Sequence, residues 1–217
     1  MKRYIRSSVI DLDQESVEMR LQVANDPKTR PQVLDALAHD KWYDVRLAAL
    51  TNPNVAVETL VDLSDINDAD ILSVIALSPK TPVDVLMKLK DHEDWDVRSY
   101  VARNEHAPAE ILRELSRDSV DAVREAVALN ENTPQDVLAD MLNYSNSYIA
   151  KCIAMNPSAS PEILETLSQC WREPQVLTAV AYNSNTPISV LKEISNDPFA
   201  GLTAREHLQR LGSLADQ

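Results

Sequence analysis

The chain has 217 residues, a net charge of −13, and only two glycines and one phenylalanine. A composition poor in glycine and aromatics but rich in Leu, Val, Ile and Ala favours helices over sheet. The negative charge argues against the strongly basic surface of a nucleic-acid-binding protein, and any electrostatic steering would favour a basic partner.

Cysteine content and apolar runs bear on the compartment. The two cysteines, Cys152 and Cys170, do not make a disulfide framework, so a reducing compartment is expected. The first six residues are basic, but no apolar stretch follows them, which argues against a secretory signal. No run approaches the ~18 apolar residues that span a bilayer. We therefore expect a cytoplasmic protein with no membrane segment.

A 26-residue pattern recurs seven times from Met19 to Gly201. Its clearest copy begins at Val123 with Val-Arg-x-Ala-Val-Ala-x-Asn and continues, two residues later, with Thr-Pro-x-Asp-Val-Leu-x-x-Met. Only the sixth interval is 27 residues long. A fixed period of this size indicates a solenoid, because one repeat cannot bury its apolar face alone. The first positions of the repeats are Met19, Val45, Ile71, Val97, Val123, Ile149 and Val176.

The pattern predicts an all-α, right-handed α-solenoid. In chain order, residues 1–18 form an N-terminal cap, residues 19–201 form seven two-helix repeats, and residues 202–217 form a C-terminal cap and tail. All belong to one continuous domain, with the last five residues expected to be disordered. Both ends depart from the repeat, as caps that shield the outermost apolar faces should.

Each repeat predicts a helix A, a short turn, a helix B and a polar loop. Helix A carries apolar residues at the first, fifth and sixth positions, and helix B at the fifteenth, sixteenth and nineteenth, which is helical spacing. The sixteenth position is leucine in every repeat, and the sixth is alanine in all but one, where Leu50 stands. Large residues facing small ones allow stacked helices to interdigitate.

The turn between the helices carries a recurrent Asn and Pro. Asn52, Asn104, Asn130, Asn156 and Asn183 are predicted to end helix A in the left-handed conformation that asparagine tolerates. Proline is predicted at the first position of helix B, preceded by Thr or Ser as the N-cap. The N-cap candidates are Thr81, Thr133, Ser160 and Thr186.

These columns resemble the leucine-rich repeat variant family, in the pattern Val-Arg-x-x-Val-Ala-x-Asn-x-x-Thr-Pro-x-x-x-Leu-x-x-Leu. The resemblance spans about residues 17–201 and is plainest at 97–115, 123–141 and 149–167. It implies a right-handed superhelix of paired helices and supplies no activity. Some members hold an iron–sulfur centre on an N-terminal cysteine cluster. This chain has no cysteine before Cys152, so we expect no such cofactor.

The second position of four repeats is arginine: Arg20, Arg46, Arg98 and Arg124. One interpretation is a ladder of guanidiniums for phosphate or carboxylate ligands. The favoured alternative is an internal ladder, in which acids such as Asp44 and Asp96 at the helix starts receive a neighbour's arginine. The column is interrupted at Leu72, Ala150 and Leu177, which also speaks against a continuous nucleic-acid track.

No cluster of residues indicates catalysis or metal binding. The acidic loops at 65–70 and 91–96 lack the glycine and the spaced glutamate typical of calcium loops, so solvated loops are favoured. The four histidines have no ligand partner at helical spacing. No nucleophile–base pair or glycine-rich phosphate loop is visible. We therefore predict a protein that is not an enzyme, with no catalytic residue, metal or cofactor.

The third and seventh positions of helix A define a stripe, the helix A stripe, that is less charged than solvent exposure would favour. We predict that this stripe binds an extended peptide or the surface of a protein partner. The alternative is that these positions pack between repeats. A nucleic-acid-binding or DNA-repair scaffold is the alternative function, which the net charge disfavours. The predicted binding residues are Leu47, Leu77, Arg103, Leu129, Met155 and Tyr182.

Overall fold

The computed structural model describes the backbone of residues 2–5, 8–11 and 15–215, and the side chains of residues 15–212. A short antiparallel hairpin, β1 (Lys2–Ile5) and β2 (Ser8–Asp11), precedes the helices, with Lys2 opposite Asp11 and Ile5 opposite Ser8. The helices are α1 (Val17–Asn25), α2 (Pro31–Ala38), α3 (Tyr43–Thr51), α4 (Val57–Leu63), α5 (Ala69–Leu77), α6 (Val83–Leu89), α7 (Trp95–Arg103), α8 (Ala109–Leu115), α9 (Asp121–Leu129), α10 (Gln135–Met141), α11 (Ser147–Met155), α12 (Pro161–Cys170), α13 (Pro174–Tyr182), α14 (Ile188–Ile194) and α15 (Gly201–Ala215).

The helices alternate between the two predicted types. Every helix A, from α1 to α13, has nine residues, and most helices B have seven. The exceptional 27-residue interval is accommodated around α12, a helix B of ten residues. The predicted helical repeats are therefore confirmed, whereas the hairpin that precedes them was not predicted from the sequence. The handedness of the superhelix stays a prediction.

The chain divides into two compact units, residues 1–104 and 105–217. In the first unit, the helices A pack side by side in the order α1, α3, α5 and α7. In the second unit, α9, α11 and α13 pack in the same way, and α15 packs against α13 and α14. Neighbouring helices A in each unit therefore present the same repeat positions next to one another.

The predicted core is confirmed. The leucine at the sixteenth position is fully buried in all seven repeats, as are the facing residues at the sixth. Each such leucine stabilises the fold by roughly 1.5–3 kcal/mol through burial of apolar surface. The buried leucines are Leu34, Leu60, Leu86, Leu112, Leu138, Leu164 and Leu191.

The predicted left-handed end of helix A is wrong. Asn104, for example, has φ −62° and ψ 128°, an extended conformation, and the other four asparagines are similar. The asparagine acts instead through its side chain. The Nδ2 of Asn156 donates to the carbonyl oxygens of Ala128 at 2.7 Å and Asn130 at 2.9 Å, at the end of the preceding helix A.

These side chains form an asparagine ladder between repeats. Asn52, Asn104 and Asn183 make the same pair of bonds to the helix A one repeat earlier. The Oδ1 of Asn156 also accepts from the backbone N–H of Ser158, so one side chain closes its own turn and joins two repeats. The unpaired carbonyls at the end of a helix need such partners.

The predicted start of helix B is also partly wrong. Pro82 and the equivalent Pro108, Pro134 and Pro187 are N-cap residues rather than first helical residues. Ala107 precedes Pro108, but the threonine before each of the other three is buried and donates back into helix A, as Thr133 does to the carbonyl of Val127 at 2.6 Å. Only Ser160 is an N-cap as predicted, because Pro161 follows it at the first helical position.

The first helix follows the repeat pattern and the last helix does not. Helix α1 begins at Val17, two residues before the first position of its repeat, as every helix A does. Helix α15 begins at Gly201 and has 15 residues. Ala200 and Ala204 are fully buried near the start of α15. The proposed shielding by residues 1–14 depends on side chains outside the described residues. Of the last five residues, which were predicted to be disordered, 213–215 belong to α15, and 216–217 lie outside the described residues. The division into caps and one continuous domain stays a prediction.

Gly201 is required at the start of α15 by a close approach. A Cβ atom there would lie 2.6 Å from the carbonyl oxygen of Ser195, a distance that side chains do not tolerate. We expect Gly201→Ala to lower the free energy of unfolding by about 1–3 kcal/mol, because the backbone must shift. Gly212→Ala is the control, since its Cβ would meet no atom within 4 Å. Equal urea midpoints for the two variants would contradict this contact.

Candidate protein-binding surface on helix A

The arginines of the second position serve the scaffold. Arg20 is buried, and its Nε lies 2.7 Å from Oδ2 of Asp40, in the loop before the next helix A. Arg46 lies 3.3 Å from Oδ2 of Asp68, again one repeat later. The favoured internal ladder is supported. Its acids are Asp40 and Asp68, not the Asp44 and Asp96 suggested by sequence.

The same arginines also bind the loop that precedes their own helix. Arg46 donates to the carbonyl of Asp40 at 3.1 Å and Arg98 to that of His92 at 2.8 Å. Arg124 donates to the carbonyl of Asp118 at 2.5 Å and pairs with Asp121. These guanidiniums bind loop carbonyls and acids of the chain itself. This supports the internal ladder over a track that binds phosphates.

The exposed face of helix B carries many charged residues, together with exposed apolar ones such as Val83 and Ile188. Ion pairs join successive repeats here: Arg113 of α8 lies 2.6 Å from Asp136 of α10, and Arg117, in the loop after α8, lies 2.8 Å from Asp140. The hydrogen bond from Arg113 lowers the pKa of the Asp136 carboxyl. Exposed pairs of this kind contribute little to stability, so this face is a solvated wall.

The helix A stripe is open at its seventh position. Leu77, Leu129, Met155 and Tyr182 are 45%, 37%, 53% and 76% exposed. Arg103 is also exposed, whereas Leu47, at the third position, is half-buried. The alternative that the seventh position packs between repeats is therefore not supported for these residues.

The predicted residues separate into two groups. Leu77 and Arg103 lie on the adjacent helices α5 and α7 of the first compact unit, with Leu47 on α3. Leu129, Met155 and Tyr182 lie on the adjacent helices α9, α11 and α13 of the second. Neighbouring helices A thus bring the residues of each group together into a semi-apolar strip.

Two cavities beside Leu77 were not predicted. One, of about 420 Å³, is mostly apolar and lies between the ends of α3 and α5, with Leu50, Val55 and Pro79 in its wall. The other, of about 250 Å³, is lined by Tyr43, Asp70, Ser73, Val74, Leu77, Asp96 and Tyr100. Alignment of the repeats could have pointed to the second cavity, because its two acids, Asp70 and Asp96, both stand one residue before the first position of their repeats.

The described part of the chain shows no metal centre. No group of three or more His, Cys, Asp or Glu among the described residues could hold a metal ion. Cys152 is buried and Cys170 exposed, and neither forms a disulfide. No helix in that part is long and apolar enough to cross a membrane.

Residues 95–120 match the family model described as leucine rich repeat variant. The predicted resemblance is confirmed. A solved structure described as a leucine-rich repeat variant with a novel repetitive protein structural motif matches with a TM-score of 0.61 and 24% identity. The match covers 89% of this chain and 76% of that one. No curated protein matches the chain.

The leucine-rich repeat variant likeness shows the fold, which is a helical-repeat scaffold. The matched segment 95–120 contains α7 and α8, one helix A and one helix B, so the family pattern corresponds to one structural repeat. The surface that such a scaffold offers is set by the residues outside its repeated core.

Proposed function

We propose that the chain is a non-enzymatic, cytoplasmic scaffold that binds a protein partner along the helix A stripe. The observation that carries the proposal is the column of exposed Leu129, Met155 and Tyr182 on three adjacent helices. Exposed apolar patches of this kind mark interaction sites. Solenoids bind partners along continuous helix surfaces.

The two faces of the scaffold differ in a way that supports this assignment. The helix B wall carries ion pairs and exposed branched aliphatic residues such as Val83 and Ile188, whereas the stripe exposes Leu129, Met155 and Tyr182. Aromatic and methionine side chains are enriched at the centres of interfaces, where charged residues are depleted. A strip rather than a pocket suits an extended peptide better than a small substrate.

Introducing a charge at sites of matched exposure tests the proposal in each compact unit. In the first, Leu77→Glu on helix A is paired with Val83→Glu on helix B, where the native residues are 45% and 48% exposed. In the second, Met155→Glu is paired with Ile188→Glu, at 53% and 52%. We expect the helix A variants to lose a captured partner at least about tenfold, or about 1.4 kcal/mol.

The readout is the amount of each protein captured from the source cell by the full chain. The helix B variants should capture the same proteins as the wild type. Equal capture by all four variants, each folded by circular dichroism, would show that the stripe is not the binding site.

Nucleic-acid binding is the alternative function, and a gel shift distinguishes it. The net charge of −13 and the internal use of the arginine ladder both oppose it. Binding of duplex DNA at low salt would reverse this ranking.

A further inference from the structure

A column of carboxylates runs along the helix A face of the first compact unit. Glu18, Asp44, Asp70 and Asp96 occupy the position before the first of their repeats, on the successive helices α1, α3, α5 and α7, and all are exposed. With helices about 8–10 Å apart, this acidic column extends over roughly 30 Å. The equivalent positions of the second unit hold Ala122, Tyr148 and Gln175.

Two of these acids, Asp70 and Asp96, face one cavity. Neither forms a salt bridge with a residue in the described part of the chain. Arg46 pairs instead with Asp68, and Arg98 donates to the carbonyl of His92. Tyr43 and Tyr100 line the same cavity. Burial, and then the charge of Asp70, raises the pKa of Tyr43.

Two carboxylates and two phenol rings that line one cavity suit a guanidinium. Arginine pairs with carboxylates and stacks on aromatic faces, and its planar group is more weakly hydrated than an ammonium. Tyr43 already holds a guanidinium in this way, because the Cζ of Arg46 lies 5.6 Å from the centre of its ring. The cavity volume of about 250 Å³ is large enough for one side chain but not for a folded element.

An apolar side chain fits on the other side of the same wall. Val74 and Leu77 line both the acidic cavity and the larger apolar one, so the two cavities are neighbours. Leu50, Pro53, Val55 and Pro79 form the rest of the apolar wall of that cavity, and its polar lining consists of Thr51, Asn52, Ser78 and Lys80. A single extended segment crossing Leu77 would place an apolar residue on one side and an arginine on the other.

We propose that this part of the helix A face binds an extended partner segment that carries an arginine and a nearby apolar residue. The arginine enters the cavity of Asp70 and Asp96, and the apolar residue enters the cavity of Leu50 and Val55. Further basic residues of the segment face Asp44 and Glu18. The proposal rests on the function proposed above and names the chemistry of the partner. A second copy of this chain is a poor occupant, because a chain of net charge −13 would repel itself.

Synthetic peptides test the proposal with the full chain. Peptides of about 12 residues, extended over about 40 Å, are long enough to cover the four helices. Each carries one leucine and one arginine in an alanine–serine background at spacings of one to four residues, with a fluorescein label. A second set replaces arginine by citrulline, which keeps the shape and removes the charge. Fluorescence anisotropy gives the Kd.

The key variant is Asp70→Asn/Asp96→Asn. We expect it to weaken the best arginine peptide about tenfold, or about 1.4 kcal/mol, and the citrulline peptide hardly at all. The matched control is Glu58→Gln/Asp84→Asn, which removes two acids from the first turns of helices B. Its Kd for the arginine peptide should lie within about twofold of the wild-type value. Salt at about 0.5 M should weaken binding of the arginine peptide more than that of the citrulline peptide, since charges are then strongly screened.

The outcomes separate this proposal from the function it rests on. Equal affinity of the wild type for arginine and citrulline peptides, or equal loss in the two double variants, would overturn the arginine assignment. If Leu77→Glu still abolishes peptide binding in that case, the stripe remains a protein-binding surface. If no peptide binds the wild type, the proposal of a linear basic segment fails. Capture of a folded partner by the stripe is then tested by the Leu77→Glu and Met155→Glu variants.

Discussion

Asn156→Ala is expected to lower the free energy of unfolding by about 3 kcal/mol. The side chain makes three hydrogen bonds, to the carbonyls of Ala128 and Asn130 and from the N–H of Ser158, each worth about 1 kcal/mol net. It is fully buried, so the two carbonyls would lose their partner where water does not reach. Urea unfolding of the full chain measures the change.

The control for the ladder is Asn196→Ala. Asn196 is exposed at the end of the last repeat, so its loss should change stability by less than about 0.5 kcal/mol. Similar losses in the two variants would show that the asparagine ladder does not hold neighbouring repeats together. The same comparison is available in the first compact unit at Asn104, which makes the equivalent bonds to Ala76 and Ser78.

Leu60→Ala is expected to cost about 2–5 kcal/mol, the range for a buried leucine whose removal leaves a cavity. Leu60 is fully buried on α4, and Asp62 lies two residues later on the exposed face of the same helix. Asp62→Ala should therefore stay within about 0.5 kcal/mol of the wild type. Equal shifts of the urea midpoint would contradict the assignment of core and wall.

The helices and their core followed directly from residue type and spacing. Leu34 and its six equivalents are buried because a repeated leucine at helical spacing has no other favourable environment in a stacked array. The asparagine column was correctly located but wrongly explained. Its true role depends on carbonyls 26 to 29 residues earlier in the chain, and local propensity carries no information about such partners.

The prediction that the threonines before proline are N-caps of helix B was wrong because it, too, used only local propensity. A threonine before proline is a good N-cap by local rules, but Thr81 and Thr133 turn inward to the last turn of helix A. The fold fixes that choice, since a buried hydroxyl must find an acceptor. Ser160 keeps the local role because the proline after it begins the helix.

The candidate site was predictable only in part. The seventh position stood out because Leu, Met and Tyr replace charge there, and the structure leaves it exposed. The acidic column was visible in the sequence, yet acids at helix starts are also expected to stabilise the helix dipole. The apolar cavity beside Leu77 arises where Pro53 and Pro79 of successive turns come together, which no single repeat reveals.

Site-specific photo-crosslinking tests the central claim, that the helix A stripe is the binding surface. A benzophenone amino acid replaces Met155 or Tyr182 on the stripe, or Ile188 on helix B, in the full chain expressed in its source cell. If the stripe is the binding surface, we expect one shared crosslinked partner from the two stripe positions and none from position 188. Crosslinks to that partner from position 188 alone, or equally from all three positions, would contradict it.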